Sequence, residues 1–165
     1  MMEISLQQLV ENVADMENLA IKLSLLIGKE KSGKTKTLLD ISERKLFPVI
    51  NLNLLVSQRL LPHTEKQRAR NVEQIVKDVI HENLKGGICI DNTEILFEPK
   101  LKINPLHLLR NIARSENVVA TWNGVLRGQK IEHAYEGHPE FFSQKAEGFG
   151  FYFLKEKKIF LKNEI

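Results

Sequence analysis

The chain has 165 residues, enough to bury one hydrophobic core without disulfide support, and 42% are apolar against 27% charged. That is the balance of an ordinary globular protein, which excludes a disordered or fibrous chain. A net charge of +3 is too small to argue alone for nucleic-acid binding. The single cysteine, Cys89, excludes an internal disulfide and fits a reducing cytosol. No apolar run approaches the roughly 18 residues of a membrane span. The first residues carry Glu3, Glu11 and Asp15 rather than the basic and apolar regions of a signal peptide. A cytoplasmic protein with no membrane contact is expected.

In chain order, Ser5 caps a first helix with Gln8 as its capping-box partner, and Leu6, Leu9, Val10, Val13 and Met16 recur at helical spacing. Residues 21–27 read as a strand entering a Gly-rich turn, and a helix follows from Lys34 to about Glu43. Pro48–Leu52 is a short strand with proline at its start, as at a sheet edge. A short helix spans Leu54–Leu61, ended by Pro62. Thr64 opens a longer one, with Val72, Ile75, Val76 and Val79 on one face. Residues 87–91 form a short strand ending in Asp91. Asn104-Pro105 starts a helix to about Arg114, and 117–122 form a further buried strand. Gln129–His133 reads as a short strand, Pro139–Gln144 as a helical turn and 149–154 as the last strand. The alternation predicts an α/β fold with a mostly parallel sheet. It is read as one domain over 1–165: an N-terminal helical segment over 1–20, a core over 21–154 and a Lys-rich tail over 155–165.

Residues 28–35, G-K-E-K-S-G-K-T, match G-x-x-x-x-G-K-[ST] in full. Gly28 and Gly33 let the backbone turn tightly and approach phosphates. Successive amides then form an anion nest at a helix N-terminus. Lys34 would reach the β- and γ-phosphates, and the Thr35 hydroxyl would serve Mg²⁺. The candidate nucleotide-binding set is Gly28, Lys31, Ser32, Gly33, Lys34, Thr35 and Lys36, with the Lys29 and Lys31 side chains read as solvated charges. ATP with Mg²⁺ is the expected ligand, and a three-layer P-loop NTPase fold the expected architecture. The competing reading, a Gly/Lys-rich surface turn, is weakened by the strand before the motif and the helix after it.

The metal also needs a carboxylate on a neighbouring strand, and Asp91, ending I-C-I-D, is the candidate; a turn aspartate is the competing reading. Many AAA+ ATPases place a water-activating Glu directly after this Asp. Here that position is Asn92, and Glu94 is the alternative base, unless it is only a solvent-facing turn residue. At the end of V-V-A-T-W-N, Asn123 or Thr121 could sense the γ-phosphate, against ordinary turn chemistry at Asn123-Gly124. Trp122 reads as core or interface. An arginine from a neighbouring subunit could stabilise phosphate charge. Arg110, Arg114 and Arg127 are candidates, with Arg127 preferred.

Weaker signals are the basic clusters Lys66, Arg68, Arg70 and Lys155, Lys157, Lys158, Lys162. They could touch nucleic-acid backbone but are diluted by Glu65, Glu73, Glu156 and Glu164. His133 and His138, with Glu132, Glu136 and Glu140, match no zinc spacing and suggest loop organisation. Cys89 reads as inert packing.

The order G-K-E-K-S-G-K-T, V-I-N-L-N-L-L-V-S-Q-R-L-L, I-C-I-D-N-T-E-I-L-F, V-V-A-T-W-N-G and G-H-P-E-F-F resembles the BrxF family of small P-loop proteins from type 3 BREX (bacteriophage exclusion) defence systems. The resemblance runs from about residue 5 to residue 145. It implies a prokaryotic cytoplasmic ATPase-like subunit acting with other BREX proteins against phage DNA, contacted directly or through partners. It also implies an AAA+-like core with no separate lid domain. Gly28, Gly33, Lys34, Thr35 and Asp91 carry over directly, and Glu94 less directly because Asn92 holds the usual Glu position. A core without a lid needs a neighbour to complete its site, so a homo-oligomer or partner complex is expected. Two other functions compete: a nucleotide-binding scaffold without turnover, and a small-molecule kinase, which would need an Arg-rich lid that the sequence lacks. A GTPase is disfavoured because no N-K-x-D motif occurs.

Overall fold

The computed structural model describes residues 1–161; Lys162 of the C-terminal basic cluster, and Glu164 beside it, lie outside the described residues. Strand β1 is Met2–Ile4 and helix α1 Leu6–Asp15. Next come β2 Leu23–Gly28, α2 Lys34–Lys45 and β3 Val49–Asn51. Helices α3, Leu52–Leu60, and α4, Glu65–Asn83, lead to β4, Ile88–Asp91. A 3-10 turn over Thr93–Phe97 and a second over Pro99–Leu101 precede α5, Pro105–Ile112. The remaining strands are β5 Val118–Asn123, β6 Val125–Arg127, β7 Lys130–His133, β8 Phe142–Lys145, β9 Gly150–Lys155 and β10 Lys158–Leu161.

Helix starts follow their caps. Ser5 with Gln8, and Thr64 with Gln67, form reciprocal capping boxes, each contributing about 1 kcal/mol against an alanine cap. Asn104 caps α5, with Pro105 at its first position. Asn51 caps α3 by accepting from Leu54 N. This helix therefore starts at Leu52, before the position its hydrophobic pattern suggested.

The main sheet has the order β1-β10-β9-β2-β5-β4-β3. The run β9-β2-β5-β4-β3 is parallel, while β10 pairs antiparallel with both β9 and β1. Alternate residues point to opposite faces, and both faces are covered by helices. Leu25, Ile90 and Ala120 pack with α3, α4 and α5. Leu26, Cys89 and Val119 pack with α1 and α2. The fold is therefore α/β with a mixed, largely parallel sheet, and β3 sits at its edge as Pro48 suggested. Among the described residues no helix is long and apolar enough to cross a membrane.

Three expectations are corrected. Pro139–Gln144 is not a helical turn: Phe142–Lys145 is a strand of a second sheet of order β6-β7-β8. The segment ending at 154 is not the last strand, because β10 returns beside β9 after a tight turn. Strand β1 pairs with β10 and went unread because it is only three residues long.

Candidate functional site

The motif loop lies between β2, buried along its whole length, and α2. A side chain at Gly28 would bring a Cβ within 2.8 Å of the Leu154 carbonyl and 2.4 Å of Ser32 Oγ, so only glycine fits. Gly33, the N-cap of α2, has φ 104°, a left-handed conformation that glycine adopts without strain. Lys31 also has positive φ, at 62°. A helix start leaves its first amides without intrahelical acceptors, here at Lys34, Thr35 and Lys36, and Gly33 supplies no side-chain cap. Free amides at a helix start are groups that an anion can bind.

Lys34 is nearly buried and folds back over the loop, its Nζ donating to the carbonyls of Gly28 at 2.8 Å and Lys29 at 2.6 Å. Burial pushes its ammonium below the usual lysine range, while Asp91, Glu94 and Glu30 pull it back up. The loop is braced from two sides. Gly124 N donates to Gly28 O at 3.2 Å, and Lys157 N donates to Ser32 O at 3.2 Å. Ser32 Oγ is buried and has no hydrogen-bond partner among the described residues.

Asp91 stands at the end of β4, opposite the loop. Its Oδ2 accepts from Thr35 Oγ1 at 2.9 Å, joining the first turn of α2 to the acidic strand. Its Oδ1 accepts from Thr121 Oγ1 at 2.8 Å and Asn92 N at 2.9 Å. Three donors fix the carboxylate, two of them hydroxyls from neighbouring elements. Asn92 adopts φ 53° and redirects the chain into the 3-10 turn Thr93–Phe97. Thr93 Oγ1 ties this turn to Thr121 O at 2.8 Å. Glu94, on the same turn, accepts from Asn123 Nδ2 at 2.6 Å. Thr121 and Asn123 are two apart on β5 and so share a face. Both polar strand-end candidates therefore reach the site, each holding a different carboxylate.

These groups line one cleft of about 360 Å³ together with Glu30, Lys31, Gly33, Lys36 and Asn92. Lys36 also pairs with Asp40 at 3.2 Å. Glu30 was not singled out by the sequence pattern, since any residue is allowed between the motif glycines.

Arg127 is not in the cleft of its own chain: its side chain is 80% exposed and bonds Glu132 Oε1 at 3.0 Å. Arg110 and Arg114 also lie outside the cleft lining. Arg68 is occupied structurally, its guanidinium donating to the carbonyls of Leu60, Leu61 and His63 at the end of α3. The His/Glu cluster is split: Glu132 serves Arg127 and Ser143, while His133 lies 3.6 Å from Glu140. Among the described residues no three His, Cys, Asp or Glu side chains gather as a metal site. Trp122 is fully buried, and burial pushes the Cys89 thiol up to about 12.

The donor set fits Mg²⁺. Thr35 Oγ1 and Asp91 Oδ2 are hard oxygens on facing elements, and this cation takes one or two protein oxygens, with phosphates and waters completing its shell. Comparison with known protein families, curated proteins and solved structures finds no match to this chain.

Proposed function

We propose that this chain binds Mg-ATP in the cleft and hydrolyses it, serving as the nucleotide-driven module of a prokaryotic anti-phage defence complex of the BREX kind. The observation that carries the nucleotide reading is the 2.9 Å bond between Thr35 and Asp91. It couples a full phosphate-loop motif to a strand-ending acid two strands away in the sheet, β4 lying beyond β5 from β2. The parallel strands, the loop after β2 and the acid on β4 support a P-loop NTPase fold.

Within that reading the loop amides and Lys34 bind the triphosphate, and Lys34 exchanges its two carbonyl acceptors for phosphate oxygens. Thr35 and Asp91 hold the metal, which when bound neutralises phosphate charge. Glu94 orients the attacking water and takes its proton, and Asn123 holds Glu94 until the γ-phosphate competes for the carboxamide. Arg127, exposed on the second sheet, is the arginine offered to a neighbouring molecule's cleft. A homo-oligomer or partner complex in the cytoplasm follows, with DNA reached directly or through partners.

One observation favours a second reading, a nucleotide-gated scaffold without turnover. Glu94 is already held by Asn123, and the residue after Asp91 is Asn92 in a left-handed turn. Binding and hydrolysis of ATP and GTP by wild type, Lys34→Ala and Glu94→Gln, with Mg²⁺ and with or without DNA, separate the two. Binding lost in Lys34→Ala, with hydrolysis alone lost in Glu94→Gln, supports the ATPase. Binding without hydrolysis supports the scaffold, and no binding by wild type refutes both.

A further inference from the structure

His133 lies on β7, outside the cleft lining, yet touches both elements that carry the Glu94–Asn123 pair. The residue is 8% exposed, and its ring stacks on Phe97 with centroids 3.8 Å apart and planes 18° from parallel. Phe97 ends the turn that begins at Thr93, so it shares one short rigid element with Glu94. His133 Nδ1 lies 2.6 Å from the carbonyl oxygen of Asn123. A carbonyl only accepts, so Nδ1 carries the hydrogen and donates. Nε2 faces Glu140 Oε2 at 3.6 Å. Trp122, the residue before Asn123, stacks edge-on against Phe97 and donates to the Glu132 carbonyl at 3.1 Å.

We infer that His133 is the positioning residue for Glu94. Its N–H holds the end of β5 and so sets the distance between the Asn123 carboxamide and the Glu94 carboxylate, while its ring packs on the 3-10 turn. The inference rests on the reading of the cleft as an ATP site. A carboxylate that orients water must be held within about half an ångström by its supporting shell, and displacement of about 1 Å can cost on the order of a hundredfold in rate. The second sheet is thereby connected to the chemistry by His133, beside the Trp122–Glu132 bond, although no atom of His133 meets the nucleotide.

Two substitutions divide the two contacts. His133→Phe keeps a ring on Phe97 and removes the N–H donor. His133→Asn keeps a side-chain N–H at the same branch and removes the ring. The assay is ATP affinity and turnover with Mg²⁺, beside wild type, Lys34→Ala and Glu94→Gln, with melting temperature measured for each protein. Emission from Trp122, the sole tryptophan, reports the cluster whether or not the protein turns over.

Affinity within about twofold of wild type is expected for both variants, because neither touches the phosphate loop. Turnover falls about ten- to a hundredfold in His133→Phe and is largely recovered in His133→Asn. Combined with Glu94→Gln, His133→Phe adds no further loss. If the wild type binds but does not turn over, the nucleotide-induced change in Trp122 emission is retained in His133→Asn and lost in His133→Phe. The proposal is overturned by wild-type behaviour in His133→Phe, or by losses of binding and turnover that track a lost folded fraction. It is also overturned by a wild type that binds ATP with neither turnover nor an emission change, since Glu94 then has nothing to do. Absence of Lys34-dependent binding instead overturns the reading of the cleft itself, and the positioning role with it.

Discussion

Replacing Gly124 by alanine tests how tightly the second sheet is docked on the cleft. A Cβ at this position would lie 1.8 Å from the Glu132 carbonyl oxygen and 2.9 Å from Trp122 Nε1. Neither can be relieved by a flexible side-chain tip. Glu132 O is backbone in the β6-β7 ladder, where Val125 pairs with Glu132, and the indole is fully buried. Moving β7 away breaks the 3.1 Å bond from Trp122 Nε1 to Glu132 O, leaving a buried donor unpaired at about 1–3 kcal/mol. Overpacking adds about 1–3 kcal/mol. A total of about 2–6 kcal/mol in a chain of this size lowers Tm by roughly 4–24 °C. Thermal unfolding followed by circular dichroism and by Trp122 emission measures it, with a red-shifted emission maximum expected in the folded variant. Gly137→Ala is the comparison. Gly137 has φ 96° but nothing within 4 Å of its Cβ position, so the cost there is backbone strain of about 1–2 kcal/mol. If Gly124→Ala melts no lower than Gly137→Ala, the docking of β7 against β5 described above is wrong.

Three other perturbations follow from the site. Thr121→Val removes one of the two hydroxyl donors to Asp91; it should cost about 1 kcal/mol of stability and weaken the Mg²⁺ dependence of ATP binding, read by metal titration in calorimetry. Because burial lowers the pKa of Lys34, ATP affinity should fall on the alkaline side before the ordinary lysine range is reached. The sign for the unliganded protein is opposite, since the unfolded chain then holds more protons than the folded one, so the Lys34 contribution to stability rises through the same window. Affinity that stays flat until that range refutes the burial of the charge. The Cys89 thiol, raised to about 12 by burial, should resist a thiol reagent in the native protein and react at once in denaturant. Its contribution to stability is complete below the ordinary thiol range and is lost as pH rises toward about 12.

The glycine loop between a strand and a helix was legible because its information is local: the spacing of Gly28, Gly33, Lys34 and Thr35. Asp91, Thr121 and Asn123 were legible as strand ends, since consecutive parallel strands present their C-terminal ends on one edge. How they pair was not, because the Thr35–Asp91, Thr121–Asp91 and Asn123–Glu94 bonds join residues remote in sequence. At Asn123-Gly124 the chain passes from β5 to β6 while the Asn123 side chain also lines the cleft. Asn123 reaches Glu94, while Gly124 is needed where Glu132 passes. Strand β10 was missed because Glu156 and Lys157 turn the chain at φ 51° and 64°. That conformation is normally announced by Asn or Gly, and the charged run looked like a solvated tail. His133 was read with His138 and the nearby glutamates as loop organisation; what distinguishes it is the stacked Phe97, contributed by the 3-10 turn after β4.

The brace from Lys157 to Ser32 has a consequence for biosynthesis. The glycine loop leaves the ribosome early, but the turn that supports it, and strand β9 beside β2, are synthesised long afterwards. A nascent chain thus carries the motif without the shape, and on the proposed function nucleotide binding waits for the late strands to dock. Stalled or proteolysed fragments that keep residues 28–35 but lack β9 and β10 would be inert toward ATP.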